Sequence, residues 1–219
     1  MRLSLIGMSG SGKSLWSAKF SEIGFRRFCC DDLILERLAS ELIRPDGSTM
    51  ELGEWMGFPY ESKYREREAR YLVYEIEVLN KILQYLESED KDVEKDIVVD
   101  TTGSVIYTGE DILKRLRQCT TVVHLSTPLE IQELMLRAYI ANQRPVLWRN
   151  FFVRETGETN ETALAKCYQR LLSSRERLYE QLAHVTIDYY RLIKRGFGVS
   201  DLLQIVDMEK EKHLLGPNT

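Results

Sequence analysis

Gly7-Met-Ser-Gly-Ser-Gly-Lys-Ser14 is the stretch on which the reading of this chain turns. It satisfies GxxxxGK[ST], the pattern of a phosphate-cradling loop. Gly7, Gly10 and Gly12 let the backbone curl until successive amides point inward as an anion nest. A helix opening at Lys13 adds its positive end to the same place. In such a loop Gly10, Ser11, Gly12, Lys13, Ser14 and Leu15 surround the phosphates of a nucleotide. Lys13 reaches the outer phosphates, and the Ser14 hydroxyl is placed to ligate Mg2+. An ordinary Gly/Ser turn can fit the same pattern, so the flanks matter. Arg2 to Ile6 reads as a short buried strand before the loop, and about Lys13 to Ile23 reads as a helix after it. Nucleotide binding follows from motif and context together. The reaction does not, because ATPases, GTPases and kinases share the loop. No NKxD tetrapeptide is present, which argues against a GTPase.

Outward from the loop, short apolar runs alternate with longer helical stretches. Phe25 to Cys30 is a second strand, ending in Asp31 and Asp32. On an extended continuation Asp31 points to the face opposite its neighbours. Tyr60 to Glu87 carries the strongest helical pattern, with Tyr64, Tyr71, Leu72, Glu75, Val78, Leu79 and Ile82 along one face. Ile97 to Val99 is the next strand and ends in Asp100. A helix around Glu110 to Gln118, a strand from Val122 to Leu125, and a late short strand at Ile187 follow. Val199 to Lys212 closes the chain as a helix with Ser200 as candidate N-cap. This rhythm predicts an α/β fold, a parallel sheet with helices on both faces. In such sheets ligands bind at the carboxyl ends of the strands. The charged run 87–96 reads as a helix end and surface turn, and the tail from Glu209 as a fraying end.

The chain's 219 residues suit one domain with an inserted lid. At 43% hydrophobic and 29% charged it has a globular composition, which excludes a mainly disordered chain. A net charge of −4 supplies no global basic field for nucleic acid or acidic lipid. No apolar run approaches the roughly 20 residues that cross a bilayer, and the first apolar stretch is too short for a signal peptide. The four cysteines have no CxxC spacing. Adjacent Cys29 and Cys30 suit a reducing compartment better than a disulfide framework. A cytoplasmic monomer with no nucleic-acid or membrane partner is the expectation.

The remaining motifs resemble those of shikimate kinase, within the nucleoside-monophosphate-kinase-like P-loop group. FCCDDLILERL (28–38) looks like the family's second strand ending in an aspartate pair. KYRERE (63–68) looks like its Phe-Arg-x-x-Glu, DTTGSV (100–105) stands at its triple-glycine turn, and SRERLY (174–179) looks like its Arg-x-x-Leu-Tyr. Arg137, with Arg144 before Pro145-Val146-Leu147, resembles its adenine-side and lid arginines. The resemblance implies one P-loop kinase domain over 1–219, an acceptor-binding segment about 33–86 and a mobile lid about 138–160. It implies ATP and Mg2+ as cofactors. It puts Asp32, Arg65, Thr102, Gly103 and Arg175 on a small acidic acceptor, with Glu68 as companion to Arg65. Arg144 joins Lys13 and Asp32 in catalysis, Arg137 lies by the adenine, and Asp100 serves the metal beside Ser14. Cys30 stands where the family carries an aspartate, and Thr101 and Thr102 replace two glycines.

The residues by themselves leave alternatives. Asp32 reads as an acceptor-hydroxyl base or a helix N-cap. Asp100 reads as a metal residue or a turn-initiating Asp. Arg65 and Arg175, 110 residues apart and brought together only by the resemblance, would form a carboxylate clamp if they converge; by themselves each reads as a surface ion pair. Leu134 to Arg154 holds Arg137, Arg144, Arg149 and Arg154 with no acid. That suits a lid bringing positive charge to a phosphoryl group, while its aromatic residues also permit an RNA or partner surface. His124 reads as a core residue, His184 and His213 as exposed, Tyr179 as core, and Cys119 and Cys167 carry no signal. The expectation is ATP-dependent phosphoryl transfer to a hydroxyl of a small acidic metabolite. A different acceptor and a non-catalytic nucleotide-binding regulator are its rivals.

Overall fold

The computed structural model describes residues 1–88 and 96–215, with side chains as far as residue 210. Most of the charged run 87–96 and the side chain of His213 lie outside that description. Five strands, β1 (Arg2–Ile6), β2 (Arg26–Cys29), β3 (Ile97–Asp100), β4 (Thr121–Leu125) and β5 (Val185–Ile187), pair entirely in parallel in the order β2-β3-β1-β4-β5. Leu5 of β1 stands opposite both Asp100 and Val123. The central strands are apolar on both faces, as a sheet covered on both sides requires.

Side chains alternate across the sheet and divide the core in two. Leu3, Leu5, Val98 and Val123 pack with Trp16 and Phe20 of α1 (Lys13–Glu22) and Leu202 and Val206 of α9 (Val199–Leu215). Ile6, Ile97, Val99 and Val122 face a larger cluster built from α2 (Cys30–Leu38), α4 (Tyr64–Glu87), α5 (Glu110–Cys119) and α7 (Asn160–Leu182). Three further α-helices, α3 (Leu52–Met56), α6 (Leu129–Ala141) and α8 (Tyr189–Leu192), and two 3-10 turns at Ala39–Leu42 and Val105–Tyr107 complete the description. No helix among the described residues is long and apolar enough to cross a membrane.

Three sequence expectations need correction. The second strand stops at Cys29 and Cys30 already begins α2, so the cysteine pair straddles a strand–helix junction. Ser200 lies inside α9; its start is tied instead by Asp201 Oδ2, which accepts from Gly198 N at 2.8 Å. The closing helix runs on to Leu215 rather than Lys212, and positions 216–219 of the tail lie outside the described residues.

The segment read as a lid begins within α6 and crosses irregularly to α7. It is packed down. Val146, Leu147 and Trp148 are buried, and Trp148 Nε1 donates to the Tyr139 hydroxyl at 3.0 Å. From α4, Tyr64 Oη accepts from Trp148 N at 2.7 Å, and its proton lies between Glu68 Oε1 and Val146 O. Glu68 Oε1 also accepts from Arg149 N at 2.7 Å. Gly53 of α3 meets the same segment, where a Cβ would fall 1.8 Å from Gln143 O.

Candidate active site

The loop after β1 takes the shape its glycines permit. Gly7, Gly10 and Gly12 have φ of 141°, 89° and 97°, in a region that side-chain-bearing residues avoid. Lys13 is buried at the start of α1, and its Nζ donates to Gly7 O and Met8 O, both at 2.9 Å. Burial lowers its pKa, with the carboxylates of Asp31 and Asp100 opposing.

Beside the loop opens a cavity of about 430 Å³. Ser9, Gly10, Gly12, Lys13, Ser14 and Leu15 form its loop side, Asp31 and Tyr71 one wall, and Thr102, Gly103 and Ser104 its floor; Arg144 and Arg175 also reach it. A Cβ on Gly10 would lie 3.8 Å from Arg144 Nη1, which puts that guanidinium against the loop. A second cavity of about 250 Å³ shares Gly10 and Arg144 and runs between Met135, Tyr139, Tyr168 and Tyr189.

Several candidate residues do not converge here. Asp32 is exposed and outside the cavity, while Asp31 lines it. The reason is the early start of α2, which replaces strand alternation with helical rotation at this point. Tyr71 Oη donates to Asp31 Oδ1 at 3.1 Å. Burial raises the Asp31 pKa, and the Lys13 ammonium and this hydrogen bond oppose it. Arg65 is exposed on α4 and Arg137 on α6, both away from the cavity. Arg175 is inside, buried, with Nη1 donating to Gly103 O at 3.2 Å and Nη2 to Leu147 O at 2.6 Å. Its Nε is buried without a partner. The two-arginine clamp expected from the sequence is therefore not assembled.

At the turn after β3, Thr101 points back into the sheet and donates to Leu5 O at 2.7 Å. Thr102 and Ser104 donate to Glu75, a fully buried carboxylate of α4. Asp100 is buried, with Oδ2 accepting from Ser17 Oγ at 2.8 Å and Arg27 Nη2 at 3.0 Å. Its Oδ1 has no partner. Among the described residues no group of three or more His, Cys, Asp or Glu gathers to hold a metal. Of the two residues expected to serve a metal, Ser14 lines the cavity and Asp100 does not, its Oδ1 being buried and without a partner. Hard oxygen donors completed by phosphates and water suit Mg2+, and the open glycine loop with its buried lysine suits a nucleotide phosphate chain.

Outside the cavity, His124 is fully buried behind the loop, 3.4 Å from Glu176 Oε1, and burial lowers its pKa to about 4. His184 is half-buried rather than exposed, and its Nδ1 accepts from Val122 N at 2.9 Å. Tyr179 is core, as expected, but also donates to Gly103 O. Sequence reasoning assigned nothing to Ser104, Arg27 and Ser17. It placed Tyr71 and Glu75 on the inward face of their helix without giving either a role; a carboxylate among core positions was the available signal.

The sheet order, the loop after the central strand and the cavity at the strands' carboxyl ends define a P-loop nucleotide-binding α/β fold. Within that class the fold is of the shikimate kinase type. The chain superposes on a shikimate kinase from Acinetobacter baumannii, solved in complex with shikimate, at TM-score 0.55 and 22% identity over 99% of this chain and 94% of that one. Shikimate kinase from Bacteroides thetaiotaomicron gives TM-score 0.60 at 19% identity over 96% and 98%, and that from Aquifex aeolicus 0.55 at 18% over 99% and 99%. No protein-family model and no curated protein matches the chain by sequence.

Proposed function

We propose that this chain is an ATP-dependent kinase that transfers a phosphoryl group to a hydroxyl of a small metabolite. The observation that carries the reading is Lys13 of the phosphate loop and the Asp31 carboxylate lining one cavity. Bound ATP with Mg2+ supplies the phosphoryl group and a divalent charge beside it. Lys13 and Arg144 surround the place where negative charge gathers on the transferring group. Asp31, not Asp32, holds the acceptor hydroxyl and takes its proton as the new O–P bond forms and the bond to ADP breaks. Ser14 and Asp100 would hold the metal. The aromatic slot past Gly10 takes the base by stacking. Much of the catalysis is positioning and electrostatics.

Arg175 at the cavity favours an acceptor with an anionic group, so shikimate is the first to test. The exposure of Arg65 favours a second reading in which the chemistry is the same and the acceptor differs. ADP release with Mg2+ and ATP, with and without shikimate, tests both. Stimulation by shikimate, lost in Lys13→Ala, supports the first; ATP binding without stimulation supports the second. A protein that binds no ATP overturns both.

A further inference from the structure

His124 is a fully buried titratable side chain that the phosphoryl chemistry above does not use, and it lies against the underside of the phosphate loop. A Cβ on Gly7, where the loop begins, would fall 3.6 Å from His124 Cδ2 and 2.9 Å from Ser11 Oγ. From α7, Glu176 Oε1 stands 3.4 Å from His124 Nε2, a few tenths of an ångström beyond a hydrogen bond. Ser11 Oγ, both ring nitrogens of His124 and Glu176 Oε2 are buried without a hydrogen-bond partner. Folded interiors rarely leave polar atoms in that state, and here they gather behind one loop.

Two titratable groups so close in a buried place share one proton, because an empty pair leaves a bare carboxylate and a full one leaves an imidazolium. The surroundings decide where that proton rests. Burial, and then the Lys13 ammonium at the start of α1, disfavour an imidazolium at His124. Burial, and then the Glu180 carboxylate one turn along α7, favour the protonated form of Glu176 and raise its pKa to about 7. Tyr179, also of α7, lays its ring beside the imidazole with centroids 5.2 Å apart, and burial keeps its hydroxyl neutral. The sheet neighbours of His124, Ile6 of β1 and Thr186 of β5, carry no charge. The proton therefore belongs to Glu176, with His124 Nε2 as the acceptor beside it.

We propose that Glu176 and His124 are a one-proton pair that couples the phosphate loop to pH: nucleotide binds with the pair protonated, and loss of that proton leaves a carboxylate behind the loop that opposes the phosphates. Both are positioning residues, acting through the loop and touching neither phosphate nor acceptor. The coupling is reciprocal, so bound phosphates tighten the pair's hold on its proton. Affinity is highest below about pH 7 and falls as pH rises through that value, where binding draws a proton from solvent. This inference rests on the nucleotide binding in the reading above and adds its regulation by pH.

The test is calorimetry of ADP binding with Mg2+ in excess, from about pH 6 to about pH 8.5, in pairs of buffers whose different ionisation heats count the protons exchanged. The wild type should lose about threefold or more in affinity across that range and take up part of a proton per nucleotide above about pH 7. Lys13, Asp31 and Glu75 also surround the site, so the difference between wild type and Glu176→Gln isolates the pair. Glutamine keeps the shape and can donate an N–H to His124 Nε2, but it cannot ionise. Glu176→Gln should match the wild type at about pH 6, bind about threefold or more tighter than it at about pH 8.5, and take up less proton. A variant that only damaged packing would bind more weakly at every pH. Glu176→Ala trims a side chain that is 21% exposed, should flatten the profile in the same way, and carries the test if Glu176→Gln does not fold. Folded variants that keep the wild-type slope and proton uptake overturn the proposal, as does a wild type whose affinity is constant with pH. Failure to bind nucleotide at any pH is a different failure, because it removes the kinase reading itself.

Discussion

Asp31 and Asp32 are neighbours in the chain and strangers in the structure. Asp31 faces the Lys13 ammonium across the cavity and takes a hydrogen bond from Tyr71, while Asp32 is exposed on the next step of α2. Burial holds the Asp31 pKa above the ordinary carboxylate value, which makes it a better proton acceptor when ionised. Asp31→Asn should therefore lower kcat by about a hundredfold or more, the range of a lost general base, and leave ATP binding intact. Asp32→Asn should change kcat less than about threefold. Steady-state kinetics on whichever acceptor stimulates ADP release would check both, and equal losses would sink the assignment of Asp31. The sequence reading pointed to the aspartate pair and, on the resemblance, chose Asp32, whereas Asp31 is the member that lines the cavity. That choice depends on whether the chain after Cys29 is extended or helical, and Phe25 to Cys30 reads as one apolar run in either case. What ends the strand is the end of its partner, since Cys29 pairs with Asp100, the last residue of β3.

At the scale of elements, the loop, α1 and the parallel strands were legible because their signals are local: a glycine pattern, a helix period, short β-branched runs. The closed crossover between α6 and α7 was not, because its contacts join residues far apart in sequence. Tyr64 and Glu68 on α4 receive the amides of Trp148 and Arg149, and Gly53 on α3 makes room for the Gln143 carbonyl. Tyr64 and Gly53 look unremarkable in their own segments, and Glu68 was read only as a companion to Arg65. Arg65, on the exposed side of the same helix, looked more functional than either α4 partner. Gly53 is the sharpest place to probe this closure. In Gly53→Ala the methyl carbon would fall 1.8 Å from Gln143 O, so the crossover must leave α3 and carry the adjoining Arg144 away from Gly10. Overpacking of this kind costs about 1–3 kcal/mol. The expected result is a lower melting temperature and a kcat reduced about tenfold or more, as for a displaced transition-state charge. A melting temperature and turnover equal to wild type would show that the crossover does not have to lie against α3 for catalysis.

For the whole molecule, the buried acids around the cavity tie stability to pH. Burial raises the Glu75 pKa from 4.5 to about 7, with hydrogen bonds from Ser104 and Thr102 opposing. Between those two values the native state holds a proton that the unfolded chain has released, so this group's contribution falls as pH rises and levels off above about 7. Glu176, also raised to about 7 by burial, acts in the same direction. His124, lowered to about 4, acts in the opposite one: it is neutral in the fold, and its contribution is lost as pH falls from 6.5 toward 4. Wild-type melting curves mix these terms, but Glu75→Gln removes one of them cleanly. The offset between variant and wild type at any single pH depends on how the amide repacks. The slope of that offset with pH belongs mainly to the Glu75 proton, with Asp31, whose charge acts on it, responding to the same substitution. From about pH 5 to about pH 8 the variant should gain on the wild type by roughly 3 kcal/mol at most, the change concentrated below about pH 7. Thermal melts of the two proteins across that range would measure it. A flat offset would mean that Glu75 ionises in the fold as it does in the unfolded chain, its burial fully compensated by the two floor hydroxyls.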